Sequence, residues 1–278
     1  MQKLNQDYVI NKILDLRQDN QLAEFESVMI GGSIGRNEED EVSDIDLFLL
    51  CAENPASSVL ESKVLWLADA IGEVKLFSGP ILVPDFGHMY TVIYHQLFMC
   101  QFCLNDRTTL KPNPMNRFNA TFLYDDTNYY TNYLEKNRNI QVDSEKVFLK
   151  ALHRFWIRLM GVIKEGNRNN IWLGTRFLTE AREQLIIMKR IESNVYPPGI
   201  NFHKASKSLE ADFAEWAKLL LPTLNDYNYN SLTDGMVASG QIALDVLKSY
   251  LKDNPQLAIH FINSLSVFEL VKLKIRTV

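Results

Sequence analysis

The sequence predicts an α+β protein: a sheet domain, of α/β or α+β type taken by itself, followed by a helical bundle. Three observations carry this. In the first half, short apolar runs alternate with Gly, Pro, Asn and Asp, the texture of brief strands and helices joined by turns. From about Asp143 the apolar residues fall instead at three- and four-residue spacing over long stretches. No internal repeat or low-complexity linker interrupts the chain, and the change of texture divides it into domains at 1–140 and 141–278.

Taken in order, Val9, Ile13 and Leu16 give helical spacing over 8–19. Ser27-Val28-Met29-Ile30 reads as a buried strand ending at two glycines, and 45–51 as a second strand. Residues 57–71 have helical periodicity through Leu60, Val64, Leu67 and Ala68, and 73–77 reads as a short strand. Residues 90–94 and 97–104 are expected to pair about a tight turn at His95-Gln96, and 121–124 to form a last strand before a turn at Asp125-Asp126. In the second half, Phe148, Ala151, Leu152, Phe155, Trp156 and Leu159 mark one amphipathic helix. Further helices are expected at 172–191, 209–221, 236–251 and 258–275, with breaks at 167–170 and Tyr196-Pro197-Pro198-Gly199. Trp156 and Trp172 read as bundle core, and Lys146, Lys150 and Arg154 as a solvated helix face.

Composition narrows the function classes. Hydrophobic residues make up 46% of the 278 and charged residues 23%, the balance of an ordinary folded chain. A net charge of −5, with a pI of about 5.6, argues against a broad basic face, so no nucleic-acid partner is expected. Cys51, Cys100 and Cys103 read as small core residues in a reducing compartment. Cys100-Gln101-Phe102-Cys103 has no second pair or nearby His to complete a zinc set, and the five histidines share no metal-ligand spacing. The first residues lack the apolar core of a secretory signal, and no apolar run approaches the roughly 20 residues that span a bilayer. A cytoplasmic protein without membrane contact is expected.

The chemistry concentrates between residues 31 and 50. Gly31-Gly32-Ser33-Ile34-Gly35-Arg36 is followed by an acidic stretch and then Ser43-Asp44-Ile45-Asp46-Leu47-Phe48-Leu49-Leu50. Side chains alternate along a strand, so Asp44 and Asp46 project together while Ile45 and Leu47 enter a core. Paired carboxylates stay ionised most easily around a cation, and Mg²⁺ takes one or two carboxylates plus substrate phosphates. A glycine turn lets backbone N–H groups approach phosphate oxygens, with the Ser33 hydroxyl as a further donor. Arg36 either adds a positive charge to the same oxygens or neutralises Glu38, Glu39 and Asp40. Singly, each of these is an ordinary loop or strand-edge feature; together they read as a metal–nucleotide site.

Gly32-Ser33 followed by Asp44-Ile45-Asp46 resembles the signature of the DNA polymerase beta-like nucleotidyltransferase superfamily, and the strand order agrees through about residue 130. A helical domain after the sheet is similar to the small antibiotic-modifying members, the aminoglycoside and lincosamide nucleotidyltransferases. The run 91–102 is similar to their strand pair leading into a third catalytic acid, and 179–185 to one of their helices. The resemblance implies a mixed sheet of nucleotidyltransferase type. It implies Mg²⁺-dependent transfer of AMP or another NMP from NTP, ATP in the first instance, to a hydroxyl of a small molecule such as a lincosamide or aminoglycoside, with release of pyrophosphate. Gly31, Gly32, Ser33 and Arg36 would bind the nucleotide and Asp44 and Asp46 the metal; a homodimer is left open.

The resemblance departs at the third acid, where this chain has Gln101. An amide offers its carbonyl to a metal but accepts no proton near neutral pH, and loss of a general base typically costs about 10² to 10⁴ in rate. Three alternatives stay open: Asp106 or Asp85 supplies the acid, Glu180 or Glu183 of the helical half does, or the protein binds nucleotide with weak or no transfer. A protein-modifying nucleotidyltransferase would share the same site but need a wide acceptor cleft.

Overall fold

Six strands carry the first half of the chain, in a computed structural model that describes all residues except 1–3, 37–42, 52–57, 84–86, 96, 109, 112–119, 196–204, 207 and 277–278. Helix α1 (Gln6–Gln18) starts at Asn5, whose side chain accepts the Tyr8 N–H at 2.8 Å, satisfying one of the donors a helix start leaves unpaired. It is followed by β1 (Phe25–Ile30), β2 (Ile45–Cys51), α2 (Ser58–Ile71), β3 (Val74–Val83), β4 (Gly87–Tyr94), β5 (Met99–Asn105), β6 (Thr121–Asp125) and α3 (Tyr129–Asn139). The strand order is β3-β4-β5-β2-β1-β6. Every neighbouring pair is antiparallel except β2 and β5, which run parallel, so the sheet is mixed and the protein α+β.

Both faces of the central strands are covered, which is why β1 and β2 read as continuous apolar runs rather than alternating ones. Ile45, Leu47 and Leu49 pack with Val9 and Ile13 of α1 and Val64 and Leu67 of α2 on one face. On the other, Met29, Phe48, Leu50 and Cys103 pack under Tyr130, Tyr133 and Leu134 of α3. Two elements differ from the sequence reading. Strand β3 runs to Val83, well past 77, because it is an edge strand whose Leu76, Ile81 and Leu82 are exposed and leave no buried pattern to read. Helix α3 was not expected at all: Tyr130, Tyr133, Leu134 and Asn137 form its buried face, but polar residues separate them, and Asn has low helix propensity. The Asp125 carboxylate caps it, accepting from the Thr131 N–H at 2.9 Å and hydroxyl at 2.7 Å, so Asp125-Asp126 is a structural turn.

Among the described residues, contacts separate two compact units, one within residues 1–141 and the other from Val142 onward. The second holds α4 (Ser144–Gly166), α5 (Ile171–Glu192), α6 (Leu209–Asp212), α7 (Ala214–Leu219), a 3-10 turn at Leu221–Thr223, α8 (Tyr229–Tyr250) and α9 (Ala258–Arg276). Asp143, Asn170 and Asn228 cap α4, α5 and α8 through their side chains. A Cβ at Gly174 would lie 2.8 Å from Leu232, so α5 and α8 meet closely there. The single helix expected over 209–221 is broken at Phe213, next to Asp212, whose carboxylate is held at 2.8 Å by the fully buried Arg190. Trp156 is core and donates its indole N–H to Ser264 at 3.0 Å, whereas Trp172 is 74% exposed and outside the core expected for it. The Tyr196–Gly199 break lies outside the described residues. Cys51, Cys100 and Cys103 are buried and unpaired with one another. Among the described residues no helix is long and apolar enough to cross a membrane.

Candidate functional site

The turn after β1 is built by the backbone. The Gly31 N–H donates to the Asp46 carbonyl at 2.9 Å, extending the β1–β2 ladder by one rung, and Gly35 N–H donates back to the Gly31 carbonyl at 3.0 Å. The chain then enters a 3-10 turn over Ile34–Arg36. Gly32 sits at φ +66°, and a Cβ on it would overlap Oδ2 of Asp46. Glycine is therefore required twice at this position, for the left-handed backbone and for the close approach to a carboxylate. The next residue, Ser33, has a buried hydroxyl with no hydrogen-bond partner.

Strand β2 brings the acids to this turn. Asp46 is half-buried between the fully buried Ile45 and Leu47, and lies on the sheet face that Phe48 and Leu50 share. Asp44 stands two residues upstream, half-buried, immediately before the strand. In the parallel β2–β5 register Asp46 is opposite Gln101, and in the antiparallel β4–β5 register Gln101 is opposite Thr91. Gly31, Asp46, Gln101 and Thr91 thus form one row across four strands. The thiols that flank Gln101 register the local charge. Burial, then Asp44, then Asp46 push the Cys100 thiol up, against a lowering hydrogen bond from Tyr94, and burial with Asp46 pushes Cys103 up to about 12.

The structure therefore brings Gly31, Gly32, Asp46 and Gln101 together, with Ser33 in the same turn and Asp44 at the entrance of the same strand. Arg36 closes the turn with its backbone; its side chain, Glu38, Glu39, Asp40 and Asp85 lie outside the described residues. Thr91 is the member of the row that sequence reasoning missed, since only the hairpin register reveals it. Asp106 is not part of the row. It lies five residues beyond Gln101, about 16 Å along a strand, and its carboxylate accepts from the Thr108 N–H and hydroxyl, both at 2.7 Å. In the helical unit, Glu180 is held in ion pairs by Arg158 at 2.8 Å and Arg176 at 3.0 Å, whereas Glu183 lines a cavity.

The donor set is two carboxylates, an amide, hydroxyls and a glycine turn. Among the described residues no cluster of three or more His, Cys, Asp or Glu side chains exists that would hold a metal unaided. The two carboxylates of the set would fit a Mg²⁺ ion, which takes one or two protein carboxylates and completes its shell with substrate phosphates. The unpartnered Ser33 hydroxyl, in the turn that lies against Asp46, would suit a phosphate oxygen.

No protein-family model matches the chain, and no curated protein matches it. Among solved structures, the chain is similar to the crystal structure of an aminoglycoside 6-adenyltransferase from Bacillus subtilis, at a TM-score of 0.39 and 14% identity, over 97% of this chain and 99% of that one.

Proposed function

We propose that the protein is a Mg²⁺-dependent nucleotidyltransferase that moves an NMP, AMP in the first instance, from NTP to a hydroxyl of a small molecule such as a lincosamide or aminoglycoside. The observation that carries this reading is the glycine turn pressed against Asp46, with the buried Ser33 hydroxyl beside it lacking any partner. A buried donor without an acceptor is costly, about 1–3 kcal/mol, and a phosphate oxygen would remove that cost. Gly31, Gly32 and Ser33 would hold the triphosphate and Asp44 and Asp46 the metal. When bound, the ion would neutralise phosphate charge and polarise the phosphorus under attack. The sheet domain, 1–140, would hold the nucleotide, and the helical domain, 141–278, the acceptor.

Gln101 defines the second reading, a nucleotide-binding protein with weak or no transfer. Its amide would orient an acceptor hydroxyl from the position beside Asp46 but would take no proton from it. Of Glu180 and Glu183 on α5, Glu180 is held in ion pairs and Glu183 lines a cavity instead.

The test is to incubate the protein with labelled NTP, Mg²⁺ and a panel of lincosamides and aminoglycosides while following pyrophosphate. Turnover that Asp46→Asn removes is the expected result. Mg²⁺-linked nucleotide binding without pyrophosphate release would select the second reading. Calorimetry showing no Mg²⁺-linked affinity for any common NTP would eliminate both.

A further inference from the structure

We infer that the helical unit carries a self-contained site for a small zwitterion, a molecule bearing a carboxylate and a protonated amine on an apolar frame, as an apolar amino acid does. The site is a cavity of about 230 Å³ between α5 and the broken segment of α6, α7 and the 3-10 turn. That volume lies below the roughly 300–1,000 Å³ of pockets for drug-sized ligands. Its lining comes from the helical unit alone and includes none of the glycine-turn or β2 residues, so the inference stands apart from the nucleotide reading.

The lining specifies the chemistry. Arg182, Glu183 and Glu210 face the cavity together with Ile186, Leu209 and Leu220. Arg182 donates one guanidinium N–H to the Thr179 hydroxyl at 2.8 Å, but its Nε is buried with no hydrogen-bond partner. The guanidinium lines the cavity and carries N–H groups beyond the one given to Thr179, the donors a carboxylate takes. Burial lowers the proton affinity of Arg182 and raises that of Glu183, each opposed by its neighbour's charge, so the pair does not fully compensate itself. Glu183 and Glu210 line the same cavity and offer an ammonium two carboxylate partners, as Arg182 offers a carboxylate a guanidinium. A monocarboxylate would meet only the guanidinium and a simple amine only the glutamates, whereas a zwitterion engages both. The leucine and isoleucine wall takes the apolar body.

The experiment is calorimetry on the full chain with L-leucine, and with 4-methylpentanoate and 3-methylbutylamine, which each keep the frame and lose one charge. Saturable leucine binding is expected, with each analogue weaker by about tenfold or more. Arg182→Gln and Glu183→Gln are each expected to weaken leucine by a similar factor while far-UV circular dichroism stays native. Arg182→Lys, which keeps the charge and loses the fork, is expected to fall between. Asp46→Asn, in the sheet unit, is expected to bind leucine like the parent protein. The proposal is overturned if neither leucine nor phenylalanine saturates the protein by about 10 mM, if 4-methylpentanoate or 3-methylbutylamine binds as well as leucine, or if Arg182→Gln binds leucine undiminished.

Discussion

Asp46 and Gln101 share one rung of the sheet, opposite each other on parallel strands β2 and β5. Adjacent strands lie about 4.8 Å apart, so Gln101→Glu places a second carboxylate beside Asp46. Two charges at that distance repel by about 1–3 kcal/mol at a half-buried position. Gln101→Glu is therefore expected to lower the melting temperature in EDTA and to regain it on addition of Mg²⁺, with a larger Mg²⁺ response than the parent chain. The same variant is expected to raise pyrophosphate release by about 10² or more if proton transfer limits the parent enzyme. A melting temperature in Gln101→Glu that ignores Mg²⁺ would remove the metal from this site.

Gly32 tests the turn itself. Alanine there must adopt φ +66° and overlap the Asp46 carboxylate, so Gly32→Ala is expected to cost about 1–3 kcal/mol in urea denaturation and to weaken nucleotide binding through displacement of Asp46. Gly72→Ala supplies the comparison, because its Cβ would meet the flexible end of Leu4 at 3.1 Å and the Tyr94 ring at an ordinary 3.4 Å; a loss within about 1 kcal/mol is expected. Equal losses in the two variants would mean that the Gly32 turn carries no special constraint.

What the sequence makes legible depends on burial. Strands β1 and β2 announce themselves because both of their faces are covered, and α4 because its buried stripe, Phe148 to Leu159, is strongly apolar. β3 is only half legible, since Leu76, Ile81 and Leu82 are exposed on an edge and show no pattern beyond Phe77. α3 hides its i, i+3, i+4, i+7 face behind intervening Asn, Glu, Lys and Arg. At the site, the glycines, Ser33 and the paired acids are local in sequence and can be recognised there. The rung that joins Asp46 to Gln101 depends on pairing between strands about fifty residues apart, which no local pattern encodes, and Thr91 joins it only through the register of the β4–β5 hairpin. The break at Phe213 is likewise hidden, because the Arg190–Asp212 pair beside it is a tertiary contact.

Arg190 is fully buried, donating Nε–H to the Ala205 carbonyl at 2.6 Å and Nη1–H to Asp212 at 2.8 Å. Asp212→Asn leaves the guanidinium in place with a weaker partner, and a loss of about 1.5–3 kcal/mol in urea denaturation is expected. Arg190→Lys is expected to cost at least as much, since an ammonium on a different stem does not span both acceptors. A change below about 0.5 kcal/mol in both variants, the level of an ordinary surface substitution, would show that the pair does not tie α5 to the segment after it.

Two glutamates on α5 respond to pH with opposite sign. At Glu192 burial pushes the carboxyl up, but hydrogen bonds from Lys189, Ser249 and Ser193 outweigh it, and the net pKa falls below the ordinary 4.5. Its stabilisation is therefore present above the unfolded pKa and lost as pH falls through the lower folded value. At Glu183 burial prevails over the lowering by Arg182 and the pKa is raised, so its charged form costs stability above the folded pKa, and that cost vanishes as pH falls through it. Glu192→Gln is thus expected to lower the melting temperature at neutral pH, with the difference from the parent closing in acid below 4.5. Glu183→Gln is expected to raise the melting temperature at neutral pH, with its difference closing already at and above 4.5. Thermal melts across this range decide the signs, and a destabilised Glu183→Gln at neutral pH would contradict the burial argument. Combined with lost leucine affinity, a stabilised Glu183→Gln would show that the carboxylate is retained in its cavity at a cost to the fold, as expected of a residue kept for a ligand rather than for packing.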